Sequence, residues 1–157
     1  MKIHDAAVRY LSYRDRTNKE MQEHLLGKGF KEDAVHEEIK ALTDIGYLDD
    51  VRFAKLFIVS SMDKGRGMRR IRHELRQKGV AAFDIEDGLA AAEEEYGFSL
   101  PEKERAIAGA SAAHFMEGQT ADRKILARLS RRLASAGFGA GLIYDIIDQY
   151  KDTCRRD

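Results

Sequence analysis

Residues 68–89 read Met68-Arg69-Arg70-Ile71-Arg72-His73-Glu74-Leu75-Arg76-Gln77-Lys78-Gly79-Val80-Ala81-Ala82-Phe83-Asp84-Ile85-Glu86-Asp87-Gly88-Leu89. Apolar side chains recur at three- and four-residue spacing, the period of a helix buried along one stripe. Gly79 interrupts the pattern where a left-handed residue ends one helix, a conformation costly for any residue with a Cβ. Val80 is then placed to plug the gap between that helix and the next.

The same pattern recurs around Lys28-Gly29-Phe30 and Ala136-Gly137-Phe138. Eight and four residues before each glycine stand Met21 and Leu25, Ile71 and Leu75, Leu129 and Leu133. One, six and ten residues after it stand Phe30, Val35 and Ile39; Val80, Ile85 and Leu89; Phe138, Ile143 and Ile147. All fifteen are apolar in a chain that is 43% hydrophobic. A period of this length signals tandem units that support one another's cores.

Outward from the glycines, the chain reads as almost wholly helical. Its one proline is Pro101, and β-branched residues never gather in alternating runs. The spacing predicts helices at 5–14, 18–28, 32–45, 50–63, 67–78, 82–95, 100–116, 121–136 and 140–151. Thr17 with Glu20 and Ser99 with Glu102 fit capping boxes. Asp49 fits an N-cap, with Leu48 and Phe53 spaced for a hydrophobic staple. The expected fold is therefore all-α: three tandem three-helix, helix-turn-helix-like repeats, elongated and curved, spanning 1–48, 49–97 and 98–157.

The 27 basic and 27 acidic residues cancel over 157 residues, so bulk positive charge cannot be the basis of binding to nucleic acid. Charge is nevertheless segregated. Seven cations (Lys64, Arg66, Arg69, Arg70, Arg72, Arg76, Lys78) face one acid, Glu74, between Lys64 and Gly79. Between Asp84 and Glu104 eight acids face Lys103 alone. A second basic helix carries Arg123, Lys124, Arg128, Arg131 and Arg132. On helical projection Arg69, Arg72 and Arg76 line one flank, and Lys124, Arg128 and Arg131 an outer stripe, while Ile125, Leu129 and Leu133 face inward. Such stripes suit phosphates or an acidic protein surface. Neither helix holds an aromatic residue for base stacking.

The sequence offers no catalytic constellation. His4, His24, His36, His73 and His114 form no ligand array. Gly65-Arg66-Gly67 lacks the Gly-Lys-Ser/Thr ending of a P-loop, and the pair Asp49-Asp50 fits helix starts better than a metal-dependent nuclease. Cys154 is the only cysteine, so an internal disulfide or a cysteine zinc site is excluded. No run of some 18 apolar residues and no secretory h-region is present, and the expectation is a cytoplasmic, membrane-free monomer with no metal or cofactor.

Gly46-Tyr47-Leu48-Asp49-Asp50-Val51-Arg52-Phe53-Ala54, Lys64-Gly65-Arg66-Gly67-Met68-Arg69-Arg70-Ile71 and Glu74-Leu75-Arg76-Gln77-Lys78-Gly79-Val80 together resemble the central signature of RecX, the bacterial regulator of the RecA recombinase. The flanking units are similar to the family's three-repeat layout, with Ala136 where the third repeat commonly has Arg. The resemblance implies a non-enzymatic modulator lying in the groove of a RecA filament on single-stranded DNA, restraining filament extension, ATP hydrolysis, strand exchange and repressor cleavage. Its signature residues would be Tyr47, Leu48, Asp49, Asp50, Phe53 and Gly79, with Tyr47, Leu48 and Phe53 holding the first two units together. Partner contact is expected at Arg66, Arg69, Arg70, Arg72, Arg76, Lys78, Lys124, Arg128, Arg131 and Arg132. The alternative is an independent DNA-binding helical module using the same cations.

Overall fold

The computed structural model describes residues 1–156, with side chains described through residue 152; the side chain of Cys154 lies outside them. Among the described residues there are nine α-helices and no strand: α1 (Ile3–Leu11), α2 (Asn18–Gly27), α3 (Glu32–Asp44), α4 (Asp50–Asp63), α5 (Met68–Gln77), α6 (Ala82–Tyr96), α7 (Leu100–Met116), α8 (Arg123–Ala136) and α9 (Ala140–Arg156). The all-α tandem repeat expected from the periodicity is the observed fold.

The three glycine corners are built alike. Gly29, Gly79 and Gly137 have φ of +94°, +90° and +101°. In each, the residue after the glycine donates its N–H to a carbonyl five residues back: Phe30 to Leu25 at 3.3 Å, Val80 to Leu75 at 3.0 Å, Phe138 to Leu133 at 3.2 Å. The glycine N–H reaches the carbonyl three back, at 3.0 Å in all three corners. This is the Schellman closure, which satisfies carbonyls that a helix end otherwise leaves open. Of the fifteen repeat positions, twelve are buried and Phe30, Ile39 and Ile147 are half-buried.

The helix starts divide by chemistry. Thr17 forms the complete capping box with Glu20, and Asp49 accepts the Arg52 N–H at 3.0 Å. Ser99 corrects the second expected box. Its side chain makes no cap bond; at this helix start the Glu93 carboxylate accepts the Leu100 N–H at 3.1 Å. α1 ends at Leu11 instead of 14, where the Ser12 hydroxyl donates to the Arg9 carbonyl at 2.6 Å. α8 starts at Arg123 instead of 121 because Asp122 caps the Ile125 N–H at 2.9 Å. α9 runs on to Arg156.

The chain forms two compact units, one of Met1–Phe57 with Glu74–Ala91, the other of Ile58–His73 with the chain from Ala92 onward. Helices α4, α5 and α6 contribute residues to both. In the first unit Ala7, Met21, Leu25, Val35, Leu42 and Leu48 form a core, with Phe30 and Ile39 against it. In the second, Ala108, Ala112, Leu129, Leu133, Phe138 and Ile146 lie at the centre of the core. Leu126 is also buried, whereas Ile125 packs at its margin; one turn of α8 thus points a residue further round than the projection expected.

Candidate functional site

The N-terminus of a helix exposes amides with no partner in its own helix. In the first unit, α2 solves this with groups distant in sequence. The Asp50 carboxylate accepts the Asn18 N–H at 3.0 Å. Thr17, fully buried, accepts the Glu20 N–H at 3.1 Å and donates its hydroxyl to the Lys78 carbonyl at 2.7 Å. Lys78 is the residue before the corner glycine, and a Cβ on Gly79 would lie 2.3 Å from the Cβ of Lys19. The start of α2 is thus seated on the α5–α6 corner.

The second unit repeats this joint at α5. Glu104 accepts the Met68 N–H, as Asp50 accepts that of Asn18, and each donor is the first residue of its helix. Gly67 donates its N–H to the Ala136 carbonyl at 2.8 Å, and Arg69 donates to the Gly137 carbonyl at 3.1 Å. The fit is tight: a Cβ on Gly67 would come within 2.5 Å of the Gly137 oxygen. Each joint therefore couples the start of one repeat's second helix to the glycine corner of the next.

Both joint carboxylates are electrostatically stressed. Burial pushes Asp50 above the usual Asp range against the pull of the Asn18 N–H, and nearby Asp84, Asp49 and Glu20 push it further. Burial likewise raises Glu104, opposed by the Met68 N–H and Arg72. Asp49 and Asp50 thus cap two different helices. No group of three or more metal-binding side chains occurs among the described residues, and none of their helices is long and apolar enough to cross a membrane.

The sequence-selected cations fall into two environments. Arg69, Arg70 and Arg76 on α5 and Lys124, Arg128, Arg131 and Arg132 on α8 are exposed, above the buried Met68, Ile71 and Leu75 on α5 and Leu129 and Leu133 on α8. The Arg132 guanidinium also lies 5.7 Å from the Phe115 ring centre. Arg66, Arg72 and Lys78 are half-buried. Arg72 faces Glu104, and the Lys78 ammonium sits 5.8 Å over the Phe57 ring.

Among the signature residues, Leu48 is buried in the first unit's core and Phe53 is half-buried, its ring 6.2 Å from Phe57. Tyr47 is 51% exposed, so its ring is no core plug. The Arg52 guanidinium donates to the Gly46 carbonyl at 2.9 Å, closing the end of α3.

Sequence reading missed the acceptor roles of Asp50 and Glu104, whose partners lie outside any local window. It also missed a stack in the first unit. The Tyr10 and His24 rings lie 3.7 Å apart and 3° from parallel, with the Arg16 guanidinium 3.8 Å over Tyr10. Burial, then Lys28 and Arg16, hold His24 below the usual histidine range. The spacing of Tyr10, Arg16 and His24 along the chain carries no signature that would have found it.

Comparison with known proteins places these features in a family. The model of the second RecX three-helix domain matches residues 49–89, and that of the first matches residues 4–42. The regulatory protein RecX of Halorhodospira halophila is 36% identical over 141 residues, covering 88% of this chain and 81% of that one. RecX of Lactobacillus delbrueckii subsp. bulgaricus is 32% identical over 90% of this chain, which spans only 51% of that longer protein. The crystal structure of RecX from Lactobacillus salivarius superposes with a TM-score of 0.81 at 25% identity, covering 95% of this chain and 94% of that one. Matched by both three-helix domain models and by a relative over most of the length of each, the chain belongs to the RecX family.

Proposed function

We propose that this protein regulates RecA without catalysing a reaction of its own. It binds along the groove of a RecA filament on single-stranded DNA and restrains extension, ATP hydrolysis, strand exchange and repressor cleavage. The observation that carries the reading is family membership across both three-helix domains. Three repeats, at 1–48, 49–97 and 98–157, are its modules. The third repeats the glycine corner of the first two bond for bond. The protein works as a monomer in the cytoplasm.

Contact is assigned first to the exposed Arg69, Arg70, Arg76, Lys124, Arg128, Arg131 and Arg132. The half-buried Arg66, Arg72 and Lys78 lie behind them. Weak contacts on linked modules combine through effective concentration, so a neutral protein can still hold a polymer through local cationic stripes. Such a regulator shifts the filament by binding one state better than another.

The test is DNA-dependent ATP hydrolysis by the cognate RecA with this protein titrated in. The rate should fall and filaments should shorten; an unchanged rate and length over a wide concentration range would reject the reading. A second reading, an independent DNA-binding module, draws on the same exposed cations. It requires binding to naked DNA that weakens steeply with salt, and no binding at low salt removes it.

A further inference from the structure

The three repeats share the same hydrogen-bonded glycine corner, so a position matched by its distance from that glycine in one serves as a control for another. Between the second and third helices of the first repeat runs a groove of about 540 Å³. In the third repeat the groove between α8 and α9 is about 510 Å³. Counted from Gly29 and Gly137, their linings coincide at eight positions.

The side chains at those positions differ in kind. Where the first groove presents Lys19, Gln22, Glu32 and His36, the third presents Ala127, Ser130, Ala140 and Tyr144. The fold tolerates polar residues in this frame, so folding does not account for the apolar set. Ala127, Ser130 and Ala134 put small side chains along the α8 wall, which lets a helix axis approach closely. Leu126, Phe138 and Ile143 supply a buried apolar floor. Tyr144, 67% exposed, stands open beside it as the kind of aromatic anchor that dominates protein interfaces.

Arg69, Arg123 and Lys151 rim the groove, and no acidic residue lines it. An apolar floor with a cationic rim selects apolar side chains flanked by carboxylates. A nucleic acid would instead lay phosphates over hydrocarbon.

We propose that the α8–α9 groove docks an amphipathic helix of the protein partner, apolar on the face it buries and acidic along its flank; this rests on the reading of RecA as that partner. The experiment measures binding of the full chain to cognate RecA filaments on single-stranded DNA. It compares wild type, Ala127→Glu and Tyr144→Ala with the matched first-repeat controls Gln22→Glu and His36→Ala. All four sites are exposed, and thermal melts confirm that each variant is folded.

The groove variants should bind about tenfold more weakly or worse, and the controls should bind as wild type. A photocrosslinker at Tyr144 should capture an acidic helical segment of RecA. Wild-type binding by both groove variants, or a crosslink to DNA, to a second copy of this chain or to a segment without acids, overturns the docking and leaves the RecA reading intact. Wild-type protein that fails to bind RecA rejects both.

Discussion

A methyl group added at Gly29, Gly79 and Gly137 meets three different surroundings. All three have positive φ, so alanine costs about 1–2 kcal/mol from backbone strain alone. At Gly29 the space is open, whereas at Gly79 the Cβ would strike Lys19 and at Gly137 it would lie 2.7 Å from the Arg70 backbone nitrogen. Gly29→Ala should therefore cost about 1–2 kcal/mol, and Gly137→Ala about 3 kcal/mol or more because a backbone must move. Chemical denaturation measures the order; equal losses at both sites would show that the corner is not a joint. The caps give a matching contrast. Thr17→Ala removes two bonds from a buried hydroxyl and should cost about 2 kcal/mol. Ser99→Ala, at a site without a cap bond, should stay within about 0.5 kcal/mol in the same denaturation experiment. Sequence alone graded these sites alike, since Ser99 and Thr17 carry the same motif. Only the structure separates them: Thr17 closes its box with Glu20, and Ser99 makes no cap bond.

At the scale of elements, the start of each docked helix is held by a carboxylate from the following repeat. Asp50 is held above its ordinary range by burial, so the folded protein binds its proton more readily than the unfolded chain does. Ionisation of Asp50 then destabilises the fold, fully above the raised value and not at all below the ordinary one. Asp50→Asn keeps an acceptor for the Asn18 N–H without the charge. Its melting temperature at neutral pH should equal or exceed that of wild type, with the difference closing as pH falls from the raised value of Asp50 to the ordinary Asp value. Asp50→Ala leaves the amide unpaired and should cost about 1 kcal/mol or more. Melts of both variants from pH 3 to 8 check the sign, and an Asn variant less stable than wild type throughout would contradict it. Glu20 runs the other way. Burial raises it, but the Arg14 and Thr17 hydrogen bonds leave it below its ordinary range, so its stabilisation is lost as pH falls through that lowered value. The number and order of the helices and the repeat were legible in the sequence because both follow from periodicity and glycine placement, whereas ends such as those of α1 and α9 were not. The joints were not, because Thr17 and Lys78 lie 61 residues apart.

For the whole molecule, charge placement decides what the proposed regulation can use. Reversing Arg69 and Arg76, or Lys124, Arg128 and Arg131, to Glu leaves the buried stripes untouched. Either set should weaken inhibition of RecA ATP hydrolysis about tenfold and reduce its salt sensitivity. Unaltered titration curves for both sets would remove these stripes from the contact. Of the ten cations selected by sequence, Arg66, Arg72 and Lys78 are half-buried, a distinction no helical projection contains. By itself the sequence determined the helices, the three glycine corners and the apolar stripes, because each depends on neighbours within about ten residues. Tertiary structure alone decided which carboxylate meets which helix start, which cations stay in water and where an apolar groove lies open. Those outcomes depend on burial and on contacts between segments far apart in the chain, and local spacing encodes neither.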